Sequence, residues 1–265
     1  MTLEEAIAKI KPLDHNAMEI AQKRWDSIAK PLHSLGKLET LLIQIAGITG
    51  NAEVDLSRRG LIAMCADNGV VEEGVTQTGQ EVTAIVAENF LKYDTSVGVM
   101  CKQNHAEIFP VDMGMVTDTK VRTDHKIAYG TQNMTKGPAM TREQAVKGLE
   151  AGIDMVRELN DKGYRILATG EMGIGNTTTS SAVASVLLKQ PVEEMTGRGA
   201  GLTSEGLVRK INAIKKAITL NKPEPEDAID VLAKVGGDRH AYLPGCEGLY
   251  SCIPCIKRAC CPSDP

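Results

Sequence analysis

Between residues 16 and 50 the apolar positions fall at three- and four-residue steps: Ile20, Trp25 and Ile28 before Pro31, then Leu38, Leu41, Leu42 and Ile45 after it. That spacing predicts two helices broken at the proline. The pattern then changes. Gly60-Leu61-Ile62-Ala63-Met64-Cys65-Ala66 is an unbroken apolar run bounded by glycine and by Asp67-Asn68-Gly69, as expected of a strand buried on both faces of a parallel sheet. A polar loop from Asp67 to Gln80 follows, then helices predicted from Glu81 to Leu91 and from Ser96 to Lys102. A second strand, Ala106 to Val111, runs into Asp112-Met113-Gly114, and an irregular polar stretch continues to about Pro138.

The second half repeats the alternation. Thr141 with Gln144 three residues on is a capping box, and Ala145, Leu149, Ile153, Val156 and Leu159 give the helix behind it one apolar side. Gly163 ends that helix, and Tyr164 to Thr169 is the third predicted strand. It delivers the chain to Gly170-Glu171-Met172-Gly173-Ile174-Gly175-Asn176-Thr177-Thr178-Thr179, which opens another helix. Further helices are predicted from Thr203 to Leu220 and from Glu226 to Lys234. Strands alternating with helices indicate an α/β fold, a mainly parallel Rossmann-like sheet flanked by helices. Such sheets bind ligands beyond the carboxyl ends of their strands, and all three strands end in polar or glycine-rich loops.

Composition narrows the partner. A 265-residue chain with 42% hydrophobic and 24% charged residues buries a large core without disulfide help, and no apolar stretch is long enough to span a bilayer. The first residues, Thr-Leu-Glu-Glu-Ala-Ile-Ala-Lys-Ile, read as an amphipathic helix and not as a targeting signal, so a cytoplasmic location is expected. Net charge is −4, with two Phe, one Trp and five Tyr, which argues against nucleic acid and leaves room for a small anionic substrate. Of seven cysteines, Cys65 and Cys101 sit among apolar residues, while Cys246, Cys252, Cys255, Cys260 and Cys261 crowd the tail. Cys252-x-x-Cys255 and Cys260-Cys261 lie too close together for two well-spaced zinc couples, and the five histidines lack ligand spacing, so no metal is expected.

The glycine run after the third strand suits a phosphate. Glycines let backbone N–H groups approach an anion, the helix N-terminus adds partial positive charge, and the threonines offer hydroxyls. Its spacing matches neither the P-loop nor the dinucleotide fingerprint, and a strand-to-helix turn that uses glycine for sterics alone is the competing reading. Glu171 within the run is either a surface acid or a carboxylate poised to accept a proton or face a cationic ring. A second glycine cluster, Thr196-Gly197-Arg198-Gly199-Ala200-Gly201, precedes a helix with Arg209 and Lys210. Arg198 and Lys210 together form a plausible phosphate clamp, against the alternative of a solvated turn and a basic helix face. The loop Glu72 to Glu81 carries hydroxyls and amides without a nucleophile beside a base, which suggests substrate contact.

Six segments in order resemble one family, nicotinate-nucleotide–dimethylbenzimidazole phosphoribosyltransferase. They are Ser34-Leu35-Gly36-Lys37-Leu38-Glu39; Ala66-Asp67-Asn68-Gly69-Val70 through Gly74-Val75-Thr76; Gln80-Glu81-Val82-Thr83; Pro138-Ala139-Met140-Thr141; Gly170 to Thr178; and Gly197-Arg198-Gly199-Ala200-Gly201-Leu202. The resemblance implies transfer of a 5-phosphoribosyl group from nicotinate mononucleotide to 5,6-dimethylbenzimidazole, giving α-ribazole 5′-phosphate and nicotinate for the lower ligand of cobalamin. It also implies a homodimer without metal or other cofactor, and a small helical domain beside the sheet. By this reading residues 1–50 give the N-terminal part of the helical domain, 51–237 the α/β transferase domain, and 238–265 a tail unlike the family. Carried over by motif, Glu171 is catalytic. Gly173, Ile174, Gly175, Asn176, Thr177 and Thr178, with Arg198, Gly199 and Lys210, meet the ribose and phosphate, while Thr76, Gln80 and Met172 border the acceptor base.

Two departures follow. The family's general base is a Glu well past Val235-Gly236-Gly237, and the resemblance ends at Gly237, so a frameshift or truncation with impaired turnover is expected. A binding or partner subunit of the same family is the alternative. The loop Thr76-Gln77-Thr78-Gly79-Gln80 lacks an aromatic residue that some relatives place there, which leaves adenine, other benzimidazoles and phenols open as acceptors.

Overall fold

The computed structural model describes residues 1–237, and the expected family-unlike tail with its cysteine couples lies outside them. Three parallel strands, β1 (Arg59–Ala66), β2 (Ala106–Gly114) and β3 (Ile166–Met172), form a sheet in the order β2-β1-β3. The unbroken apolar run of β1 takes the central place because both of its faces are covered. Ile62, Met64 and Ala66 pack against Ala151, Met155, Val156 and Leu159 of α6 (Arg142–Asp161). The alternate residues Ala63 and Cys65 pack against Ala84, Ala87 and Phe90 of α4 (Glu81–Leu91), with Val97 of α5 (Ser96–Gln103) beside them. Pro110, which has no N–H to give a ladder, sits on β2 at the sheet's edge.

Beyond β3, the helices α7 (Asn176–Leu187), α9 (Ser204–Asn221) and α10 (Ala228–Val235) close around Ala182, Ile214, Ala217 and Val231, joined by Val70 from the turn after β1. A short helix, α8 (Val192–Met195), links α7 to the second glycine cluster. At the N-terminus, α2 (His15–Ser27) and α3 (Lys37–Thr49) lie so close at Gly47 that an added Cβ would stand 2.6 Å from Met18 Cγ. Buried Glu39, in the first turn of α3, pairs with Lys30 of the joining segment at 2.8 Å and accepts from the Leu35 N–H at 3.0 Å. The Lys30 contact holds its carboxyl below the ordinary range. The first helix, α1 (Leu3–Ala8), does not join that pair: the Met1 amine reaches Asp154 at 3.2 Å and the Leu3 N–H reaches Glu150 at 3.2 Å, both on α6.

Two strands differ from their predicted spans. β2 runs on to Gly114, and β3 begins at Ile166 and continues through Gly170, Glu171 and Met172. Pairing with β1 extends the ladder to Cys65↔Met172, and a local pattern contains no trace of a partner a hundred residues away. Tyr164 is instead a core residue, its ring edge-on to Phe109 at 5.1 Å. The polar loop after β1 contains a 3₁₀ turn, Gly69–Glu73. It presses so tightly on the strap at residues 131–133 that a Cβ on Gly69 would lie 2.6 Å from backbone atoms of Gln132 and Asn133. Asn133 and Thr135 donate to Glu73 at 2.7 Å each, and these bonds lower its pKa, Thr135 most.

The excursion after β2 is anchored by charge. Arg122 forks onto Asp124 at 2.5 and 2.6 Å and reaches Glu158 of α6 at 2.7 Å. Arg122 first, then Lys162, pulls the Glu158 carboxyl down to about 2. The unfolded chain therefore binds a proton at this group, near pH 4, that the folded chain refuses, and the stabilisation is present above that pH and lost as pH falls toward 2. Glu158→Gln is expected to remove about 1 kcal/mol of the stability difference between pH 6 and pH 3, the figure allowing for solvent screening of a carboxylate that is one-third exposed. Urea midpoints at the two pH values check this, and an unchanged difference contradicts it.

Candidate active site

The carboxyl ends of β1 and β3 are neighbours, so the loops leaving them meet. β3 carries Glu171 as its last residue but one, half-buried, a strand residue where the sequence pattern places it in a loop. Asn176, the first residue of α7, donates its side-chain amide to Glu171 Oε1, while its own Oδ1 accepts the Thr177 N–H at 2.8 Å. The acid is thereby tied to the start of the helix five residues on.

Gly175 makes the turn possible. Its φ is +90°, in the left-handed region, and an added Cβ would lie 3.0 Å from Val71 Cγ2 and 3.3 Å from Asn68 Cβ. Only a residue without a side chain fits between the strand end and the first loop. The Gly173 carbonyl accepts the Asn176 N–H at 3.1 Å, and the Gly175 carbonyl accepts the Thr178 N–H at 3.0 Å, which starts α7 directly at the turn.

The second glycine cluster closes on the first through Lys210. Its ammonium, 1% exposed, donates to Thr177 Oγ1 at 2.8 Å and to the Gly197 carbonyl at 3.1 Å. Gly199 lies against the same spot: a Cβ there would be 2.8 Å from Thr177 Oγ1 and 3.6 Å from Lys210 Nζ. Among the described residues Lys210 forms no ion pair, and burial pushes its pKa down. A buried ammonium held only by neutral oxygens is an electrostatic debt that a phosphate dianion on the adjoining helix N-terminus would settle.

Other expected residues take different places. The Arg198 guanidinium turns back onto its own loop, donating to the Leu202 carbonyl at 2.8 Å and to Ser204 Oγ at 3.1 Å, so the two-pronged clamp has Lys210 alone at its centre. Thr178 is fully buried beneath the turn, its hydroxyl without a hydrogen-bond partner among the described residues, whereas Thr177 is less deeply set. Met172 packs among the residues between the sheet and α4. Thr76 Oγ1 donates to the Thr78 carbonyl at 2.9 Å, and Gln80 Nε2 donates to the Asn68 carbonyl at 3.1 Å.

Three residues outside the expected set shape the site. Asn68 Nδ2 donates to the Ile174 carbonyl at 2.7 Å, Thr83 Oγ1 accepts the Ile174 N–H at 3.0 Å, and Gln77 Nε2 donates to the Gly201 carbonyl at 2.6 Å. Asn68 sits in the polar triplet at the end of β1, a signal present in the sequence. Thr83 lies in a family-like segment and Gln77 in the amide-bearing loop, but the bonds they make have no local signal, because their partners lie 91 and 124 residues away.

Comparison with known proteins gives the site a context. A family model described as phosphoribosyltransferase matches residues 10–247, past Gly237, where the sequence reading ends the resemblance. The nicotinate-nucleotide–dimethylbenzimidazole phosphoribosyltransferase of Ruminiclostridium cellulolyticum is 53% identical over 248 residues, 93% of this chain and 70% of the relative. That of Clostridium acetobutylicum is 50% identical over the same shares. Among solved structures, CobT from Thermus thermophilus superposes with a TM-score of 0.79 at 34% identity, covering 87% of this chain and 70% of that one.

Gly175→Ala is expected to destabilise the fold by about 1–3 kcal/mol, since it forces both a positive φ on alanine and a contact with Val71. A thermal melt followed by circular dichroism checks this, and a midpoint equal to the parent's contradicts it.

Proposed function

The chain belongs to the nicotinate-nucleotide–dimethylbenzimidazole phosphoribosyltransferase family, and on that premise we propose that it transfers the 5-phosphoribosyl group of nicotinate mononucleotide to 5,6-dimethylbenzimidazole or a related base. The products are α-ribazole 5′-phosphate and nicotinate. The observation that carries this reading is the buried Lys210 ammonium joining the two glycine turns at Thr177 and Gly197 with no carboxylate to neutralise it among the described residues. The donor's phosphate supplies that charge, with the α7 N-terminus and Gly173 to Thr177 as its cradle. Thr178, buried below, supports the turn.

Phosphate anchored there places the ribose toward the carboxyl end of β3, where Glu171 stands. As the bond from C1′ to the nicotinate nitrogen breaks, positive charge develops on the sugar ring. A carboxylate fixed by Asn176 stabilises it more in the transition state than in the ground state. Nicotinate leaves with the bonding electron pair, one acceptor nitrogen attacks the opposite face of C1′, and inversion yields the α-anomer. The proton on the acceptor's second nitrogen has to pass to a general base; the family's base is a Glu in the segment beyond Gly237, where this chain departs from the family, so turnover is expected to be impaired. The loop from Thr76 to Gln80 borders the acceptor in this reading.

A homodimer in the cytoplasm completes the proposal. Its support is the apolar surface left open on and beside the helical pair, where Leu32, Leu35, Leu38 and Leu41 are about half or more exposed, together with the absence of any described helix long and apolar enough to cross a membrane.

The deciding measurement is nicotinate release from nicotinate mononucleotide in the presence of 5,6-dimethylbenzimidazole, adenine or phenol. Glu171→Gln is expected to lower kcat by about a hundredfold or more. Release at the parent's rate by this variant contradicts the role given to the acid. Release only after mixing with an intact relative identifies a partner subunit instead.

Lys210→Met is expected to weaken nicotinate mononucleotide binding by about tenfold or more while the 5,6-dimethylbenzimidazole affinity stays within about twofold. In the parent, that binding should weaken at a pH below the usual lysine value, because burial lowers the Lys210 pKa and the neutral amine attracts no phosphate. Titration calorimetry across the alkaline range checks both statements, and equal nucleotide affinity in the two proteins contradicts them.

A further inference from the structure

The first glycine turn is gripped from behind. The Ile174 carbonyl accepts from Asn68 Nδ2 at 2.7 Å, and the Ile174 N–H donates to Thr83 Oγ1 at 3.0 Å. The two side chains come from separate elements, the end of β1 and the first turn of α4, and both are buried, Asn68 at 1% exposure and Thr83 at 0%. Asn68 is itself held, its carbonyl accepting from Gln80 Nε2 at 3.1 Å and its Cβ lying beneath Gly175.

These bonds fix two successive peptide planes. The Ile174 N–H belongs to the peptide joining Gly173 to Ile174, and the Ile174 carbonyl to the peptide joining Ile174 to Gly175. Each plane is rigid and trans, so fixing one of its polar groups fixes the opposite direction of the other. Asn68 therefore aims the Gly175 N–H away from itself, and Thr83 aims the Gly173 carbonyl away from α4. Glycine on either side of Ile174 lowers the cost of rotating either plane, and a rotated plane would turn a carbonyl to the face that otherwise presents an N–H. An anion tells these two arrangements apart strongly, because one attracts it and the other repels it.

We infer that Asn68 and Thr83 are positioning residues for phosphate recognition, fixing the peptides on both sides of Ile174 in the orientation that a phosphate monoester requires. The inference rests on the phosphate reading of the preceding subsection. Gln80 carries the same clamp to the loop that borders the acceptor, so one network of side chains touches both substrate regions.

The test uses Thr83→Val, which keeps shape and removes the acceptor, Thr83→Ser, which restores it, and Asn68→Asp, which sets an oxygen against the Ile174 carbonyl. Calorimetry with nicotinate mononucleotide, with nicotinate riboside and with 5,6-dimethylbenzimidazole reads the affinities, and melting curves run beside it. Thr83→Val and Asn68→Asp are expected to weaken nicotinate mononucleotide binding by about tenfold or more, the size of one buried hydrogen bond left unmade. Riboside and dimethylbenzimidazole affinities should stay within about twofold, and Thr83→Ser should return the nucleotide affinity to near the parent's.

Parental nucleotide affinity in both Thr83→Val and Asn68→Asp overturns the inference, as does Thr83→Ser binding as weakly as Thr83→Val, or equal losses for riboside and nucleotide. If one of the two disruptive variants does not fold, the other decides. Lys210→Met separates the two levels: loss in that variant without loss in Thr83→Val removes the clamp alone. Parental affinity in Lys210→Met, or no nucleotide binding by the parent chain, removes the phosphate reading with it.

Discussion

A lysine ammonium withdrawn from water is the constraint around which this site is arranged. Lys210 reaches across from α9 to Thr177 on α7 and to the Gly197 carbonyl, and it is buried by the turns it joins. Burial without a counter-charge is costly, and the lowered pKa expresses that cost. The cost is tolerable because the surrounding core is well closed: Ile214 and Ala217 of α9 pack against Ala182 of α7, and Val231 of α10 completes the layer. Packing therefore holds the two glycine turns in contact and leaves an electrostatic imbalance between them.

The sheet supplies the other half of the arrangement. β1 is central and apolar on both faces, which leaves its polar carboxyl end, Asp67-Asn68-Gly69, as a fixed platform at the level where β3 ends. From that platform Asn68 holds the Ile174 carbonyl and Val71 fills the space beside Gly175. The strap at residues 131–133 presses on that platform at Gly69. The glycine turn is thus braced by side chains of the loop after β1, Asn68 by a hydrogen bond and by packing, Val71 by packing.

How far the site was legible varies by residue. Glu171, Thr177, Gly199 and Lys210 were singled out from motif and charge, and the structure brings Thr177, Gly199 and Lys210 to one point. Arg198 was paired with Lys210 as a clamp, yet a turn only four residues long lets its guanidinium satisfy the Leu202 carbonyl and Ser204 instead. Thr177 and Thr178 are adjacent and chemically alike, but one helical step of about 100° turns one toward Lys210 and the other into the interior. Asn68 and Thr83 lie in segments that carry the family resemblance, yet neither was given a site role, because the bond an amide or hydroxyl makes is unreadable until its partner is known.

Taken alone, the sequence determined the elements: the helical steps of α2 and α3, the capping box that starts α6, the doubly buried run of β1, and a glycine turn where a strand meets a helix. Each of these depends on residues within a few positions of one another, so local spacing carries it. Tertiary structure decided the rest. The length of β3 follows from its ladder with β1, Glu171 belongs to a strand because of that ladder, and Lys210 is a buried charge only because α9 packs against α7. Those properties are set by pairs of groups tens to a hundred residues apart, and the energy that brings them together is the burial of apolar surface in the whole fold, which no local pattern contains.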